Sequence, residues 1–360
     1  MDYKDYSKDR LSAGEAQKMA EIIAFGPVVF QISRIMLKSG ILGMLRDSEY
    51  GMTAQEISDA SGYSVYAVKV LMESSLTLGT VLYDFETGRY SLGKTGWFLL
   101  TDEMVRVNMD FNHDVNYIGM FDLDSALKTG KPSGLRHFGQ WQTIYEGLSQ
   151  LPEQVQLSWF AFDHFYSDNS FGEALEIVFS RKPHRILDVG GNLGAWALKC
   201  VEYDPDVRVT IADLPPQIEM MRRETAGRPG AERIDAWPVN VLEPSAELPS
   251  EPRYDAVWMS QFLDCFSLRE IESILGKASR VLDGNARLYV METLWDRQRY
   301  ETAAFCLTQI SPYFTALANG CSKMYSSADL TEAIRNAGFE VVRIYDHIGL
   351  GHSVLECKIK

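Results

Sequence analysis

The sequence predicts an α/β protein in which an open, mostly parallel sheet follows a helical amino-terminal part. From residue 184 the pattern runs strand, glycine turn, helix, strand, and apolar segments then alternate with helical ones to the end of the chain. Before residue 104 the apolar residues instead recur at helical spacing. We therefore predict a helical domain over residues 1–103, and a helical linker with the α/β domain over residues 104–360.

The composition fits a large folded protein and excludes several partners. The 360 residues are 46% hydrophobic and carry a formal net charge of −14. Because no basic patch offsets this charge, we expect neither nucleic acid nor an anionic membrane surface as a partner. The longest apolar stretch, residues 22–32, is shorter than the roughly 20 residues that cross a bilayer. Five cysteines without a CxxC pair and no secretory pattern predict free thiols in the cytoplasm.

The amino-terminal part predicts helices followed by a winged helix. Residues 15–45 have helical spacing, interrupted at Gly26-Pro27 and ended by Gly40. Two short helices then begin at Thr53 and Ser64, and segments 81–85 and 89–92 flank a glycine turn. The second of these helices carries one cation, Lys69, and one anion, Glu73, where a reader of the DNA groove would carry several polar or basic residues. A dimerisation module therefore fits this winged helix better than DNA binding.

The α/β part predicts six strands. They are residues 185–189, the strand that ends at Asp213, and residues 256–259, 286–291, 340–345 and 354–358, with helices over 269–280 and 328–337 between them. The first strand enters a loop with Gly190, Gly191 and Gly194, which lets the backbone approach a ligand closely. Asp213 lies where a carboxylate can accept both ribose hydroxyls of a nucleoside. These features predict a nucleoside cofactor site, although a loop that only turns tightly would need glycines too.

The motif D-x-G-x-x-x-G, Asp188 to Gly194, replaces the G-x-G-x-x-G of dinucleotide binders. Here the sequence resembles the S-adenosylmethionine-dependent small-molecule O-methyltransferases of plants and bacteria, which carry an amino-terminal winged-helix dimerisation domain. The resemblance covers nearly the whole chain: RILDVGGNLG is similar to the glycine loop of that family, TIADLPPQI to its FDLPxV, and NAGFEVVRI and SVLECK to its closing strands. It implies a Rossmann-like fold, a homodimer, and S-adenosyl-L-methionine as cofactor with S-adenosyl-L-homocysteine as product.

The resemblance also implies the cofactor site. Gly190 and Gly194 would approach the methionine end, Asp213 would hold the ribose, and the amide of Asn240 would face the adenine. The full predicted set is Asp188, Gly190, Gly191, Gly194, Asp213, Leu214, Asn240, Val241, Ser260 and Gln261. Asn192 replaces the middle glycine of the family, which is tolerable if this residue does not need a positive φ.

The catalytic segment departs from the family pattern. Asp264 stands at the position of the general-base histidine, and the acidic partner on the next strand matches Glu292. The second acidic partner has no clear match near Ser322 to Met324. Complete proton transfer from a phenol of pKa near 10 to an aspartate of pKa near 3.9 would cost roughly 8 kcal/mol. Burial beside Glu292 would narrow this gap, and an acidic acceptor would need less help.

Alternatives remain for the catalytic group. Asp264 could act as the base, or it could only orient the acceptor while proximity supplies the acceleration. His164, which lies among aromatic residues before the α/β domain, is a rival base. His347 and His352 lack a third ligand nearby, so no metal site is predicted. Aromatic residues that could line an acceptor pocket, or simply form core, are Trp141, Trp159, Tyr166, Tyr313 and Phe314.

The predicted function is transfer of the methyl group of S-adenosylmethionine to a hydroxyl of an aromatic or similar planar small molecule. Two other hypotheses stay open. The enzyme could bind the same cofactor but methylate nitrogen or carbon, or run a reaction without methylation. Alternatively, the chain could be a cofactor-sensing regulator that acts through the winged helix.

Overall fold

The computed structural model describes residues 6–167 and 169–360, without the side chains of residues 164 and 167. The described chain forms two compact units, one within residues 5–113 and one within residues 114–360. Each unit has its own elements and core, and they are considered in turn.

The amino-terminal unit is helical with one hairpin. Its helices are α1 (Ala13–Ala24), α2 (Gly26–Lys38), α3 (Ile41–Asp47), α4 (Ala54–Ser61), α5 (Val65–Leu76), α6 (Lys94–Thr101) and α7 (Glu103–Phe111). The antiparallel hairpin, β1 (Val81–Asp84) and β2 (Arg89–Leu92), lies between α5 and α6. The order helix, turn, helix, hairpin is the one that the sequence predicts for residues 51–100.

Local signals in the sequence set these boundaries. Pro27 lies in the first turn of α2, where its missing N–H costs nothing. Gly40, at a φ of 80°, precedes α3 in a conformation that favours glycine. The Thr53 hydroxyl accepts from the Glu56 N–H, and the Glu56 carboxylate accepts from the Thr53 N–H, so the predicted capping box of α4 is present. Within the described residues no single helix is long and apolar enough to cross a membrane, although α1 and α2 together meet the length and composition, with a 73° bend between them.

The carboxyl-terminal unit begins with helices and continues as a layered α/β structure. The first helices are α8 (Leu123–Thr129), α9 (Ile144–Gly147), α10 (Glu153–Ser167) and α11 (Phe171–Phe179). The strands are β3 (Arg185–Val189), β4 (Arg208–Asp213), β5 (Ile234–Pro238), β6 (Tyr254–Ser260), β7 (Leu282–Glu292), β8 (Phe339–Ile348) and β9 (His352–Ile359). The helices between them are α12 (Ala195–Tyr203), α13 (Pro215–Thr225), α14 (Leu268–Ser279), α15 (Glu301–Tyr313) and α16 (Ser327–Asn336).

The seven strands form one sheet in the order β5-β4-β3-β6-β7-β9-β8. Strands β3 to β7 are parallel, and β8 and β9 are antiparallel additions, which confirms the predicted mostly parallel sheet. Two apolar clusters cover the two faces. One is built on Leu187 and Val257, and the other on Ile186 and Trp258. Both faces of the central strands are therefore buried, as is typical of parallel sheets.

The strand order places a ligand site at the carboxyl ends of the parallel strands. The chain runs outward from β3 to β4 and β5, then crosses back to β6 and β7. The loops that follow β3 and β6 therefore diverge at their carboxyl ends, and open α/β sheets bind ligands in such a crevice. Four polar residues lie in the last two positions of their strands at these carboxyl ends: Asp188, Asp213, Ser260 and Glu292.

The sequence prediction misses one strand of the sheet. Strand β5 lies at the sheet edge, is mostly exposed or half-buried and ends in Pro238, so its sequence IDAWP shows no apolar run. Proline is tolerated there because an edge strand has one side free of sheet hydrogen bonds.

Candidate active site

The loop after β3 packs tightly enough to require glycine. Gly190 has a φ of 79° and Gly194 a φ of 83°, a region that side chains rarely adopt. A Cβ atom on Gly190 would lie 2.2 Å from the ring of Phe262, and one on Gly191 would lie 2.6 Å from the Asp188 carboxyl. The glycines therefore let the loop lie directly against the residues that follow β6.

Asp213 ties this loop to the neighbouring strand. Its Oδ2 accepts a hydrogen bond from the Asn192 N–H at 2.9 Å, and its Oδ1 accepts one from the Leu214 N–H at 2.6 Å. Each carboxylate oxygen keeps further acceptor capacity, so these bonds leave room for ligand hydroxyls. Because sequence reasoning assigned Asp213 to the ribose alone, it missed this role in shaping the loop.

The condition under which Asn192 would be tolerable, that this residue does not need a positive φ, is not met. Its φ is 47°, in the left-handed region. Asparagine is among the residues other than glycine that tolerate this conformation best. The departure from the family glycine therefore keeps the backbone shape of the loop.

Two polar groups beside the loop lack a hydrogen-bond partner among the described residues. Asp188 is buried, and its Oδ2 has no hydrogen-bond partner within the described structure; the Oε1 of Gln261 is in the same state. Burial first, and the nearby Asp213 charge second, raise the pKa of Asp188 well above its usual range. Buried acceptors without partners are costly, so both oxygens suit a ligand that brings hydrogen-bond donors.

The rim beyond β5 is held by a residue that sequence reasoning missed. The buried Lys277 ammonium donates to the carbonyls of Val241 at 2.6 Å and Glu243 at 2.7 Å. The side-chain Oδ1 of Asn240 accepts from the Leu242 N–H at 3.1 Å, and the Val241 side chain packs in the core. The segment predicted to face the adenine is thus fixed from below by α14.

Glu292 and Asp264 meet at the turn after β6. The Oε1 of Glu292 accepts hydrogen bonds from the N–H groups of Phe262 at 3.1 Å and Leu263 at 2.8 Å. Asp264 lies in the short helical turn that follows and is only 7% exposed. Glu292 is 2% exposed, and its Oε2 has no hydrogen-bond partner in the described part of the chain. The predicted pair of carboxyl groups is therefore brought together and buried.

The environment of the two carboxyl groups makes it unfavourable for both to be ionised at once. Burial raises the pKa of Asp264 to about 6, and the Asp163 charge adds to this effect. Burial, together with the Asp264 charge, raises the pKa of Glu292 well above its usual range. Two negative charges this close in a buried site are unfavourable, so near neutral pH the pair favours one neutral and one ionised carboxyl group, and the ionised group can accept a proton.

Aromatic and polar side chains surround Asp264. The Tyr145 hydroxyl donates to the Cys265 sulfur at 3.1 Å, and the Trp159 indole N–H donates to the Tyr313 hydroxyl at 2.8 Å. The Asp264 charge raises the pKa of both tyrosines, although burial is the larger cause for each. Tyr145 and Asp163 belong to the site but carry no sequence motif, so local pattern could not reveal them.

The remaining candidates fall outside this cluster or outside the description. The rival base His164 lies within α10, but its side chain is outside the described residues. Met324 occupies the region of the missing second acid, and it is buried with its sulfur accepting from the Thr293 hydroxyl at 3.5 Å. His352 is buried with Nδ1 2.7 Å from the Ser170 hydroxyl, so it is a core histidine. Among the described residues, no group of three His, Cys, Asp or Glu could hold a metal ion.

Comparison with known proteins matches both parts of the chain to described families. Residues 162–344 match the family described as Methyltransferase domain, and residues 17–90 match the family described as Dimerisation2-like domain. The methyltransferase match spans half of the chain, and the chain therefore belongs to this family. It is an S-adenosylmethionine-dependent methyltransferase, as the sequence resemblance predicts.

Relatives with known names include enzymes that methylate carbon and enzymes that methylate oxygen. The chain is 23% identical over 321 residues to L-tyrosine C(3)-methyltransferase of Streptomyces lavendulae, covering 88% of this chain and 85% of that one. It is 22% identical over 344 residues to demethylspheroidene O-methyltransferase of Rhodobacter capsulatus, covering 93% and 79%.

Solved structures confirm the fold. The methyltransferase SibL, in its apo form, is 24% identical with a TM-score of 0.70, covering 94% of this chain and 98% of that one. The O-methyltransferase NcsB1, solved with S-adenosylmethionine and 2-hydroxy-5-methyl naphthoic acid, is 19% identical with a TM-score of 0.66, covering 92% and 96%.

Proposed function

We propose that the enzyme transfers the methyl group of S-adenosylmethionine to the hydroxyl oxygen of an aromatic or similar planar small molecule. The observation that carries this proposal is the buried pair of Asp264 and Glu292. This pair lies at the carboxyl ends of the parallel strands, where the glycine loop also lies. When bound, the cofactor supplies a methyl group on a positively charged sulfur. The chain supplies an ionised carboxylate that takes or guides the acceptor proton in a buried site.

The proposed cofactor site consists of the glycine loop, Asp213, and the oxygens of Asp188 and Gln261 that have no hydrogen-bond partner among the described residues. The ammonium and hydroxyl groups of S-adenosylmethionine are donors of the kind that these buried acceptors lack. Around them, the residues proposed to complete the site are Gly190, Gly191, Gly194, Leu214, Asn240, Val241 and Ser260.

We expect Gly190→Ala to lower the affinity for S-adenosylhomocysteine by at least about tenfold, a loss of 1.4 kcal/mol. The new Cβ would meet the Phe262 ring, so the loop or the ring must move. Gly227→Ala is the matched control, because Gly227 has a similar φ of 73° but open space around its Cα. Calorimetry on both variants and on Asp213→Ala measures the effect. Wild-type affinity in folded Gly190→Ala and Asp213→Ala would place the cofactor elsewhere.

A screen of phenols with trideuteromethyl-labelled cofactor tests the proposed reaction. Mass spectrometry should find one acceptor that gains a CD₃ group while the cofactor becomes S-adenosylhomocysteine. The absence of any labelled product from hydroxylated aromatics, with cofactor binding intact, would contradict the proposal.

A second candidate, methylation of the ring carbon beside a phenol hydroxyl, is favoured by the similarity to the L-tyrosine C(3)-methyltransferase. Both reactions need a base near the hydroxyl, so Asp264 would serve either. They differ in the proton that is lost, because carbon methylation releases a ring proton and keeps the hydroxyl. An acceptor deuterated at its ring positions therefore loses one deuterium only if carbon is methylated.

We propose that the enzyme is a homodimer assembled through the amino-terminal unit, and we keep the winged-helix assignment and the cytoplasmic location as predictions. The match of residues 17–90 to a dimerisation-like domain supports this assembly. Helices α1 and α2 and their junction expose large apolar side chains, including Ile23, Phe25 and Val28. Apolar surface of this kind usually marks an interface.

We expect Ile23→Glu with Val28→Glu to convert the dimer to a monomer at micromolar concentration. A buried charge at an interface core is strongly unfavourable. Leu82→Glu, at another exposed apolar position of the same unit, is the control that should leave the dimer intact. Light scattering reports the mass, and a dimer that survives the double substitution would place the interface elsewhere.

A further inference from the structure

We infer that Cys265 is a positioning residue which, together with Tyr145, holds Oδ1 of the Asp264 carboxylate and so orients the carboxylate toward the acceptor. The inference rests on the proposed function, because it assigns to Asp264 the handling of the acceptor proton. It adds two side chains that neither the family pattern nor the pair with Glu292 requires.

The three side chains form a hydrogen-bond chain with one direction. The Tyr145 hydroxyl donates to the Cys265 sulfur at 3.1 Å, and the Cys265 thiol donates to Asp264 Oδ1 at 3.5 Å. Burial raises the pKa of Tyr145 and of Cys265 well above their usual ranges, so both keep the protons that they donate. Because the first bond polarises the thiol toward the carboxylate, the chain supports the ionised form of Asp264.

The turn that carries Asp264 and Cys265 is fixed from two sides. On one side Glu292 accepts from the backbone before Asp264. On the other, the Asn319 amide donates to the Cys265 carbonyl at 2.7 Å and to the Ser322 hydroxyl at 2.7 Å. With its backbone held, the thiol has a defined path to Asp264 Oδ1.

The thiol opposes the effects of burial and of a nearby charge on Asp264. Burial is the largest cause that raises the pKa of Asp264, and the Asp163 charge from α10 adds to it. The hydrogen bond from the Cys265 thiol lowers this pKa, and weaker hydrogen bonds from the backbone of Asp264 and Cys265 act in the same direction. From β7, Glu292 faces the same carboxylate, and after burial the Asp264 charge is the next cause that raises the pKa of Glu292. Tyr145 of α9 and Tyr313 of α15 also feel the Asp264 charge, and both stay neutral in the ordinary pH range. Loss of the thiol donor would therefore raise the pKa of Asp264 further.

The test is a titration of Asp264 by carbon-13 NMR in protein labelled at the aspartate carboxyl carbons, with S-adenosylhomocysteine present. Asp264→Asn assigns the signal. In Cys265→Ala we expect the pKa to rise from about 6 by about half a unit to one unit, the size of a weak hydrogen bond to a charged group. Cys265→Ser keeps a donor, so the pKa of Asp264 should stay closer to the wild-type value than in Cys265→Ala. Tyr145→Phe should raise this pKa by a smaller amount than Cys265→Ala.

Turnover adds a second measurement. In the pH profile of kcat, the acidic limb of Cys265→Ala should move to higher pH by the same amount as the pKa measured by NMR. Cys321→Ala is the control and should move neither, because it removes an exposed thiol but keeps the Cys321 N–H that donates to Asn319 Oδ1. An unchanged Asp264 titration in Cys265→Ala, or equal shifts in the alanine and serine variants, would overturn the inference. Because NMR needs no acceptor, these outcomes are separate from a failure of the proposed reaction.

Discussion

Asp264→Asn is expected to lower kcat by about 100-fold or more, the usual effect of losing a general base, while cofactor affinity stays near that of the wild type. Asparagine has nearly the shape of aspartate but cannot take the acceptor proton. Asp264 lies beyond the glycine loop in a separate turn, so cofactor binding should not depend on its charge. Single-turnover kinetics and calorimetry on the same preparation separate the two effects.

The pH dependence follows from the same residue. Burial raises the pKa of Asp264 to about 6, so the ionised base prevails above that pH. Turnover should therefore fall as the pH decreases through about 6, whereas an aspartate with an ordinary pKa would stay ionised to about pH 4. Asp264→His should regain activity if its imidazole reaches the acceptor, because the unperturbed pKa of histidine is near 6.5.

His164→Gln is the control for the rival base. If it abolishes turnover while Asp264→Asn does not, the alignment has misidentified the catalytic residue. If neither substitution matters, proximity to the methyl group carries the reaction, and the general-base role of Asp264 is wrong.

The same asparagine variant should be more stable than the wild type at neutral pH. Since the fold raises the pKa of Asp264 from 3.8 to about 6, keeping it ionised at pH 8 costs roughly 2–3 kcal/mol of stability. Asparagine avoids this cost. The gain should shrink as the pH falls below about 6, be mostly lost at about pH 4, and disappear below about pH 3, where aspartate is protonated in both the folded and the unfolded chain. Thermal unfolding at pH 8 and pH 4 measures the difference.

The parts of the molecule that sequence could predict are those set by local pattern. The strand, glycine loop and helix around Asp188 lie within about 20 consecutive residues, and each signal there acts on its neighbours in the chain. The capping box at Thr53 is similarly local. By contrast, β5 is an edge strand with weak apolar content, and only pairing with β4 defines it.

The site residues that sequence could not predict are joined by contacts across long stretches of chain. Tyr145 and Cys265 are 120 positions apart, and Trp159 and Tyr313 are 154 positions apart. No periodicity links such pairs, since the fold alone brings them together. Asp213 shows the intermediate case, because its position was predicted but its hydrogen bond to the loop backbone at Asn192 was not.

Substitutions of Glu292 can distinguish a structural role, holding the turn that carries Asp264, from a role in proton transfer. Its Oε1 accepts two backbone N–H groups at the turn before Asp264, and burial favours its neutral form. Glutamine has the shape of that neutral acid and can accept the same two bonds. We therefore expect Glu292→Gln to keep the fold and much of the turnover.

Glu292→Leu should instead lose about 2–6 kcal/mol of stability, because the N–H groups of Phe262, partly buried, and Leu263, buried, would lack acceptors at about 1–3 kcal/mol each. Turnover should fall as well, since the turn that carries Asp264 is no longer held. Chemical denaturation and kinetics on both variants measure these effects. If Glu292→Gln kept full stability yet lost turnover as severely as Asp264→Asn, Glu292 would have to exchange a proton itself, and its assignment as a neutral positioning group would be wrong.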